Sequence, residues 1–113
     1  MASAEGVQVV VEALPQGGDV VHVSGELDLA SIADLSSALA GSEASGRRVL
    51  DLTECTFLDS SAIHVILAEA GRCREEDGEL VIVAPQAAVR RPLEIAQVDN
   101  IVPIYPSLVD AVR

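Results

Sequence analysis

The sequence has no tryptophan, one phenylalanine and one tyrosine, so aromatic residues make up only 2% of its 113 positions. Apolar residues still make up 50% of the chain, which is too many for a disordered acidic segment. We therefore expect one folded domain over residues 1–113, with a core of valine, isoleucine, leucine and alanine.

Basic residues are also scarce, because acidic residues outnumber them 18 to 7 and the net charge is −11. Nucleic acids and anionic membrane surfaces both require basic patches, so we expect neither as a partner. No apolar run approaches the roughly 20 residues that span a bilayer, and residues 1–5 lack the basic start and apolar segment of a secretory signal. These absences predict a cytoplasmic protein without membrane insertion, to which a basic protein partner would be attracted.

Few side chains suit metal binding or catalysis. Cys55 and Cys73 stand 18 residues apart, without a C-x-x-C motif or a second cluster of ligands, so they indicate ordinary reduced cysteines rather than a zinc site. Only His22 and His64 could activate a nucleophilic serine, and neither a G-x-S-x-G motif nor a Walker-type glycine loop is present. The sequence predicts no metal site, no cofactor and no enzymatic activity.

The apolar pattern predicts an α/β fold. The turn at residues 15–19 is short enough for a hairpin, so the first two strands should be antiparallel. Later strand–helix–strand units should cross over right-handed and give parallel neighbours, hence a mixed, mostly parallel sheet with an antiparallel N-terminal strand and about four helices. The predicted strands are 7–14, 20–25, 47–52, 79–84 and 101–105, and the predicted helices are 31–40, 63–76, 86–96 and 108–113.

Two predicted helices carry more specific expectations. The helix after residue 60 should turn Ile63, Ile66, Leu67 and Ala70 inward and stop at Gly78. The third helix should bury Val89, Leu93 and Ala96. Because a proline inside a helix removes a hydrogen bond, Pro92 should either kink this helix or mark the start of its regular part.

A polar loop separates the third predicted strand from the helix that follows it. Asp59 and Ser60 are both good N-cap residues, since a short side-chain oxygen can accept from the free amides of the first turn. Two interpretations stay open at this point. The pair could simply cap the helix, which is the commoner use, or Ser60 could carry a phosphate favoured by the exposed amides and the helix dipole.

Several motifs, taken in order, resemble the STAS family of bacterial anti-sigma factor antagonists. Residues 25–28 (Gly-Glu-Leu-Asp) are similar to the family's G-E-L-D signature, and residues 50–52 with 57–61 (Phe-Leu-Asp-Ser-Ser) resemble its strand and F-x-D-S-S-G-L phosphorylation loop. Residues 89–91 and 104–108 fall where family members carry V-R-R and Y-P-S-L. The resemblance extends from about Val7 to Arg113.

The resemblance implies a partner switch centred on Ser60. An anti-sigma factor that is also a serine/threonine kinase would phosphorylate Ser60. The unphosphorylated protein would bind that kinase and release its sigma factor, and a phosphatase acting on phosphorylated Ser60 would reset the cycle. The resemblance also implies a set of residues that contact the partner: Glu26, Asp28, Asp59, Ser61 and Ala62.

The chain departs from the family pattern at three positions. Ala62 stands where the family usually has glycine, His64 where it often has a small residue, and Pro92 where it has an aliphatic one. His64 lies one helical turn after Ser60, so it could bring a pH-sensitive positive charge near a phosphate or hinder kinase docking, or have no role. A second function also stays open, that of a non-phosphorylated STAS adaptor or scaffold subunit of a transport ATPase or signalling assembly.

Overall fold

Five strands form one sheet in the order of the chain, β1-β2-β3-β4-β5. The computed structural model describes residues 7–41 and 46–113. The β1–β2 pair is antiparallel and the other three pairs are parallel, which confirms the predicted mixed sheet. The elements are β1 (Val7–Ala13), β2 (Asp19–Leu27), α1 (Ile32–Ala40), β3 (Arg47–Leu58), α2 (Ser60–Glu75), β4 (Glu79–Val83), α3 (Ala87–Ile95), a 3₁₀ turn (Val98–Asn100), β5 (Ile104–Tyr105) and α4 (Leu108–Val112).

The helices are divided unequally between the two faces of the sheet. The strand order advances in one direction from β2 to β5, so right-handed crossovers put α1, α2 and α3 on the same face. The main core lies between these helices and the sheet, and it includes Val21, Leu35, Leu50, Ile66, Ile82 and Leu93. A smaller cluster on the opposite face joins α4 to Val20, Val49, Val81 and Val83. Because α4 has only five residues, much of that second face stays open over the residues that the structure describes.

Three strand predictions were wrong in length, and the first is β2, which spans Asp19–Leu27 instead of residues 20–25. β3 continues to Leu58 instead of ending at residue 52, because β2 keeps pairing with it as far as Leu27 opposite Leu58. The backbone pairing with β2 therefore keeps residues 53–58 in the strand, although several of them are polar. β5 covers only Ile104–Tyr105, since the amides of Ile101 and Val102 donate back to the carbonyl oxygen of Val98.

The helix predictions hold in part. Ile66 and Ala70 of α2 are buried as expected, while Ile63 and Leu67 are half-buried. The residue that ends α2 in the left-handed conformation is Asp77, with φ of 61°, rather than Gly78.

α3 runs from Ala87 to Ile95 with Pro92 inside it, so of the two alternatives for Pro92 the one in which the regular helix begins there was wrong. Val89 and Leu93 are buried, but Ala96 is exposed because the helix ends at Ile95. The chain turns away there, since Gln97 adopts φ of 63°. Val89 and Leu93 still pack in the main core, as predicted.

A buried network of charged side chains joins β2, β3, α1 and α2. Arg48 binds both carboxylate oxygens of Asp19, at 2.9 and 2.8 Å, and donates through Nη1 to Glu69 at 2.7 Å. Arg72 Nε donates to the other oxygen of Glu69 at 3.0 Å. Both arginines also donate to the carbonyl oxygen of Leu39. The network pairs buried charges with opposite charges, which offsets the cost of removing each of them from water.

Both cysteines are free and buried. Burial away from water is the main reason that the pKa of the Cys73 thiol is raised to about 11, with the carboxylate of Glu69 adding to the effect. A thiol with so high a pKa carries little thiolate at neutral pH and reacts slowly, in agreement with the ordinary cysteines expected from the sequence.

On the open face of the sheet, His22 joins the three strands β1, β2 and β3. Its Nδ1 lies 2.8 Å from Asp51 Oδ2 and its Nε2 lies 3.0 Å from Glu12 Oε1. The hydrogen bond with Glu12 is the largest cause of a raised His22 pKa, and the bond with Asp51 adds to it. The protonated ring can donate to both carboxylates at once.

We expect this contact to make stability depend on pH. A raised pKa in the folded state stabilises the protein fully below the unfolded value of 6.5, and the contribution disappears as pH rises through the folded pKa. The difference in unfolding free energy between wild type and His22→Gln should therefore be fully present below pH 6.5 and shrink as the pH rises above it, through the folded pKa. Urea unfolding at a series of pH values measures it. A difference that stays constant over this range would contradict the protonated contact.

Candidate functional site

Two loops meet at the carboxyl ends of β2 and β3. Leu27 and Leu58 are the last paired residues of these parallel strands, and the amide of Asp59 donates to the carbonyl oxygen of Leu27 at 3.1 Å. Parallel strands place their following loops at the same edge of the sheet. The motif at residues 25–28 and the loop at residues 57–61, which are distant in sequence, thus form one surface.

Asp59 caps α2. One carboxylate oxygen accepts from the Ser61 amide at 3.0 Å, from the Ser61 hydroxyl at 2.5 Å and from the Ala62 amide at 3.4 Å. The hydroxyl bond is the largest cause of a lowered Asp59 pKa, and the amides of Ala62, Ser61 and Leu29 lower it further. Asp59 is therefore ionised at neutral pH.

Ser60 is the first residue of α2, and its side chain is exposed. The expectation that free amides of the first turn would receive a phosphate there needs correction. Asp59 already occupies the amides of Ser61 and Ala62. A phosphate on Ser60 would instead stand beside a carboxylate, with only the general field of the helix dipole in its favour.

Asp28 holds the other loop in place through Ser31, the N-cap residue of α1. Its carboxylate accepts from the amide and the hydroxyl of Ser31, both at 3.0 Å, and Ser31 also donates to the carbonyl oxygen of Glu26 at 2.6 Å. These bonds set the start of α1. Asp28 remains half-buried, while the Glu26 side chain is exposed at the same edge.

Other residues assigned from the resemblance differ in accessibility. Ala62 is fully buried, so its side chain packs on the core and is unavailable to a partner, contrary to the sequence-based assignment. Ser61 is half-buried, with its hydroxyl engaged by Asp59. His64 is exposed on α2, one turn after Ser60.

Two exposed apolar side chains at this surface were missed from the sequence. Leu29 is 78% exposed in the loop after β2, and Phe57 is 48% exposed near the end of β3. The available signal was strand alternation: because Leu58 points into the core, Phe57 should point away from it. Leu29 follows the end of β2 and Phe57 lies next to the end of β3, so both exposed apolar side chains are at the edge of the sheet where the two loops meet.

A shallow apolar groove begins one turn beyond Ser60. Ile63 of α2 forms one side and α3 forms the other. The groove therefore starts on the helix that carries Ser60, but on the side facing α3. The residues that line the groove on α3 and just after the end of that helix are Ala87, Ala88, Arg91, Pro92, Ile95 and Ala96.

Comparison with known proteins agrees with this architecture. The family model for the STAS domain matches residues 8–111, nearly the whole chain. The chain belongs to the STAS domain family. A solved structure described as an anti-sigma factor antagonist from Mycobacterium paratuberculosis is 33% identical and aligns with a TM-score of 0.83, covering 94% of this chain and 91% of that one.

Two curated STAS relatives come from Mycobacterium tuberculosis. Rv2638, a candidate anti-anti-sigma factor, is 30% identical over 93 residues, which are 79% of this chain and 63% of Rv2638. The anti-sigma-F factor antagonist RsfA is 28% identical over 92 residues, covering 78% of this chain and 72% of RsfA. The match to Rv2638 thus spans less than two thirds of its length.

The described part of this STAS fold has neither a membrane-spanning helix nor a cluster of metal ligands. Among residues 7–41 and 46–113, no helix is long and apolar enough to cross a bilayer. Over the same residues, no three histidine, cysteine, aspartate or glutamate side chains come together as metal ligands would.

Proposed function

We propose that this STAS protein is a cytoplasmic anti-sigma factor antagonist and a binding module rather than an enzyme. In the unphosphorylated form it binds an anti-sigma factor serine/threonine kinase and causes release of the sigma factor. The kinase phosphorylates Ser60, and a phosphatase removes the phosphate. The observation that carries the proposal is the exposed Ser60 side chain at the first position of α2, beside the capping carboxylate of Asp59.

The surroundings of Ser60 supply a physical basis for the switch. Phosphorylation adds a charge of about −1.5 to −2 at pH 7. The neighbouring amides are already bonded to Asp59, so this chain offers the phosphate little local compensation. A partner that covers Leu29 and Phe57 would have to remove the phosphate from water against apolar contacts. That desolvation is unfavourable, so phosphorylation should release the partner.

The proposal is tested by incubating the protein with its cognate anti-sigma kinase and ATP. Intact mass should show one added phosphate, and peptide mapping should place it on Ser60. Ser60→Ala should abolish the modification and Ser61→Ala should retain it. Phosphate found only on Ser61, or none at all with a kinase that binds the protein, would overturn the switch and favour the adaptor function instead.

Conservative substitutions separate the charge of the two capping carboxylates from their hydrogen bonds. Asn is also a good capping residue, so Asp28→Asn and Asp59→Asn should keep the fold within about 1 kcal/mol of wild type. Both should weaken binding to the kinase or slow phosphorylation, since the carboxylate charge is lost. Urea unfolding and titration calorimetry measure the two effects. If both variants unfold instead, the carboxylates act only as structural caps.

A further inference from the structure

We propose that β1 is a self-association surface through which two copies of this protein pair edge to edge, giving one continuous sheet. β1 lies at the edge of the sheet, and within residues 7–41 and 46–113 no strand pairs with the other side of its backbone. Such an edge can bind another strand because its outward N–H and C=O groups are unpaired. The inference is independent of phosphorylation at Ser60.

β1 lacks the features that usually protect an exposed edge. Its seven residues contain no proline, glycine or lysine, and Glu12 is the only charged one. All seven pair with β2 in a continuous register without a bulge, from Val7 opposite Gly25 to Ala13 opposite Asp19. Natural edge strands are commonly protected by charges, prolines or bulges, and a long regular apolar edge favours pairing. Val10 and Val11 are 60% and 43% exposed there.

The sequence of β1 is also complementary to itself. Two identical antiparallel strands are related by a two-fold axis perpendicular to the sheet, so the helices of both copies stay on one face. With the axis at Val10, all seven residues of β1 find a partner within β1 of the second copy. Gln8 then lies opposite Glu12 of the second copy, and its amide can donate to that carboxylate.

Other registers are less favourable. Moving the axis to Val9 or Val11 leaves two of the seven residues of β1 without a partner within β1. It also places a valine opposite Gln8 or Glu12 in place of the amide–carboxylate pair. The two identical carboxylates do not face each other in the proposed register, which matters because each copy carries a net charge of −11. Added salt should screen the remaining repulsion and strengthen the dimer.

The register can be tested by disulfide trapping. In the proposed register, Val10→Cys places two thiols opposite each other, and these should cross-link under mild oxidation. Val11→Cys, which would face Val9 of the second copy, should cross-link far less. The native cysteines are buried and make no contribution. Cross-linking through Val11→Cys instead of Val10→Cys would overturn this register.

The pairing itself is tested by sedimentation equilibrium over a range of protein concentrations, with wild type expected to approach the mass of two chains. Val10→Lys places two lysines at the two-fold axis and should raise the dissociation constant about tenfold or more. Val109→Lys is the matched control, because Val109 of α4 is 63% exposed and the charge change is the same. A wild-type monomer at every concentration, or equal effects of the two lysines, would overturn the proposal.

Discussion

Ser60→Asp is expected to weaken binding to the anti-sigma kinase by about a hundredfold or more, equivalent to about 2.7 kcal/mol. The substituted carboxylate stands beside ionised Asp59, whose oxygen already holds the amides of Ser61 and Ala62. A partner covering this surface must therefore remove a second uncompensated charge from water. Titration calorimetry with the unphosphorylated proteins measures the loss directly.

Ser60→Asn is the matched control for this substitution. Asparagine has nearly the size and shape of aspartate but no charge, so binding should fall much less than with Ser60→Asp. Because Ser60 is exposed, neither variant should change the free energy of unfolding by more than about 0.5 kcal/mol. Equal loss of binding in both variants would mean that shape, rather than charge, controls the contact.

Arg48→Met is expected to have the largest effect on stability, a loss of about 3–5 kcal/mol. Arg48 is 1% exposed, and its removal leaves Asp19 buried without its bidentate partner. Glu69 keeps its bonds to Arg72 but loses one at 2.7 Å. Urea unfolding followed by circular dichroism gives the free energy of unfolding, provided that the transition stays two-state.

The neighbouring arginine supplies the control. Arg47 is partly exposed and pairs with Glu79 at 3.2 Å, so Arg47→Met should cost only about 1 kcal/mol. Adding Asp19→Asn to Arg48→Met should recover part of the stability, since the unpaired buried charge is removed. If the two arginine variants were equally stable, the buried network would have no special role in the fold.

The difference between these two arginines illustrates what local sequence could not reveal. Arg47 and Arg48 are adjacent, yet one is a surface residue and the other is fully buried. The partners of Arg48 lie 29 and 21 residues away, at Asp19 and Glu69. Periodicity alone places Glu69 on an apolar helix face without a reason for its burial.

The candidate site also has features that the sequence predicted and features that only the structure revealed. The motif at residues 57–61 placed Asp59 and Ser60 at a helix N-terminus, both as possible caps, because capping depends on neighbours in the chain. The structure assigns the cap to Asp59. The meeting of the two loops depends on Leu27 lying beside Leu58 in the sheet. The use of the Ser61 and Ala62 amides by Asp59, and the burial of Ala62, likewise required coordinates.

The sequence by itself determined the order of the elements, the antiparallel start of the sheet, the parallel remainder and the position of Ser60 at a helix N-terminus. These follow from turn length, residue periodicity and capping, which act over a few residues. Only the tertiary structure decided that Arg48 and Glu69 are buried, that the loops after β2 and β3 meet at one edge of the sheet, and that β1 is an edge strand among the described residues. Such properties depend on which distant segments pack together, because burial is set by all neighbours in space.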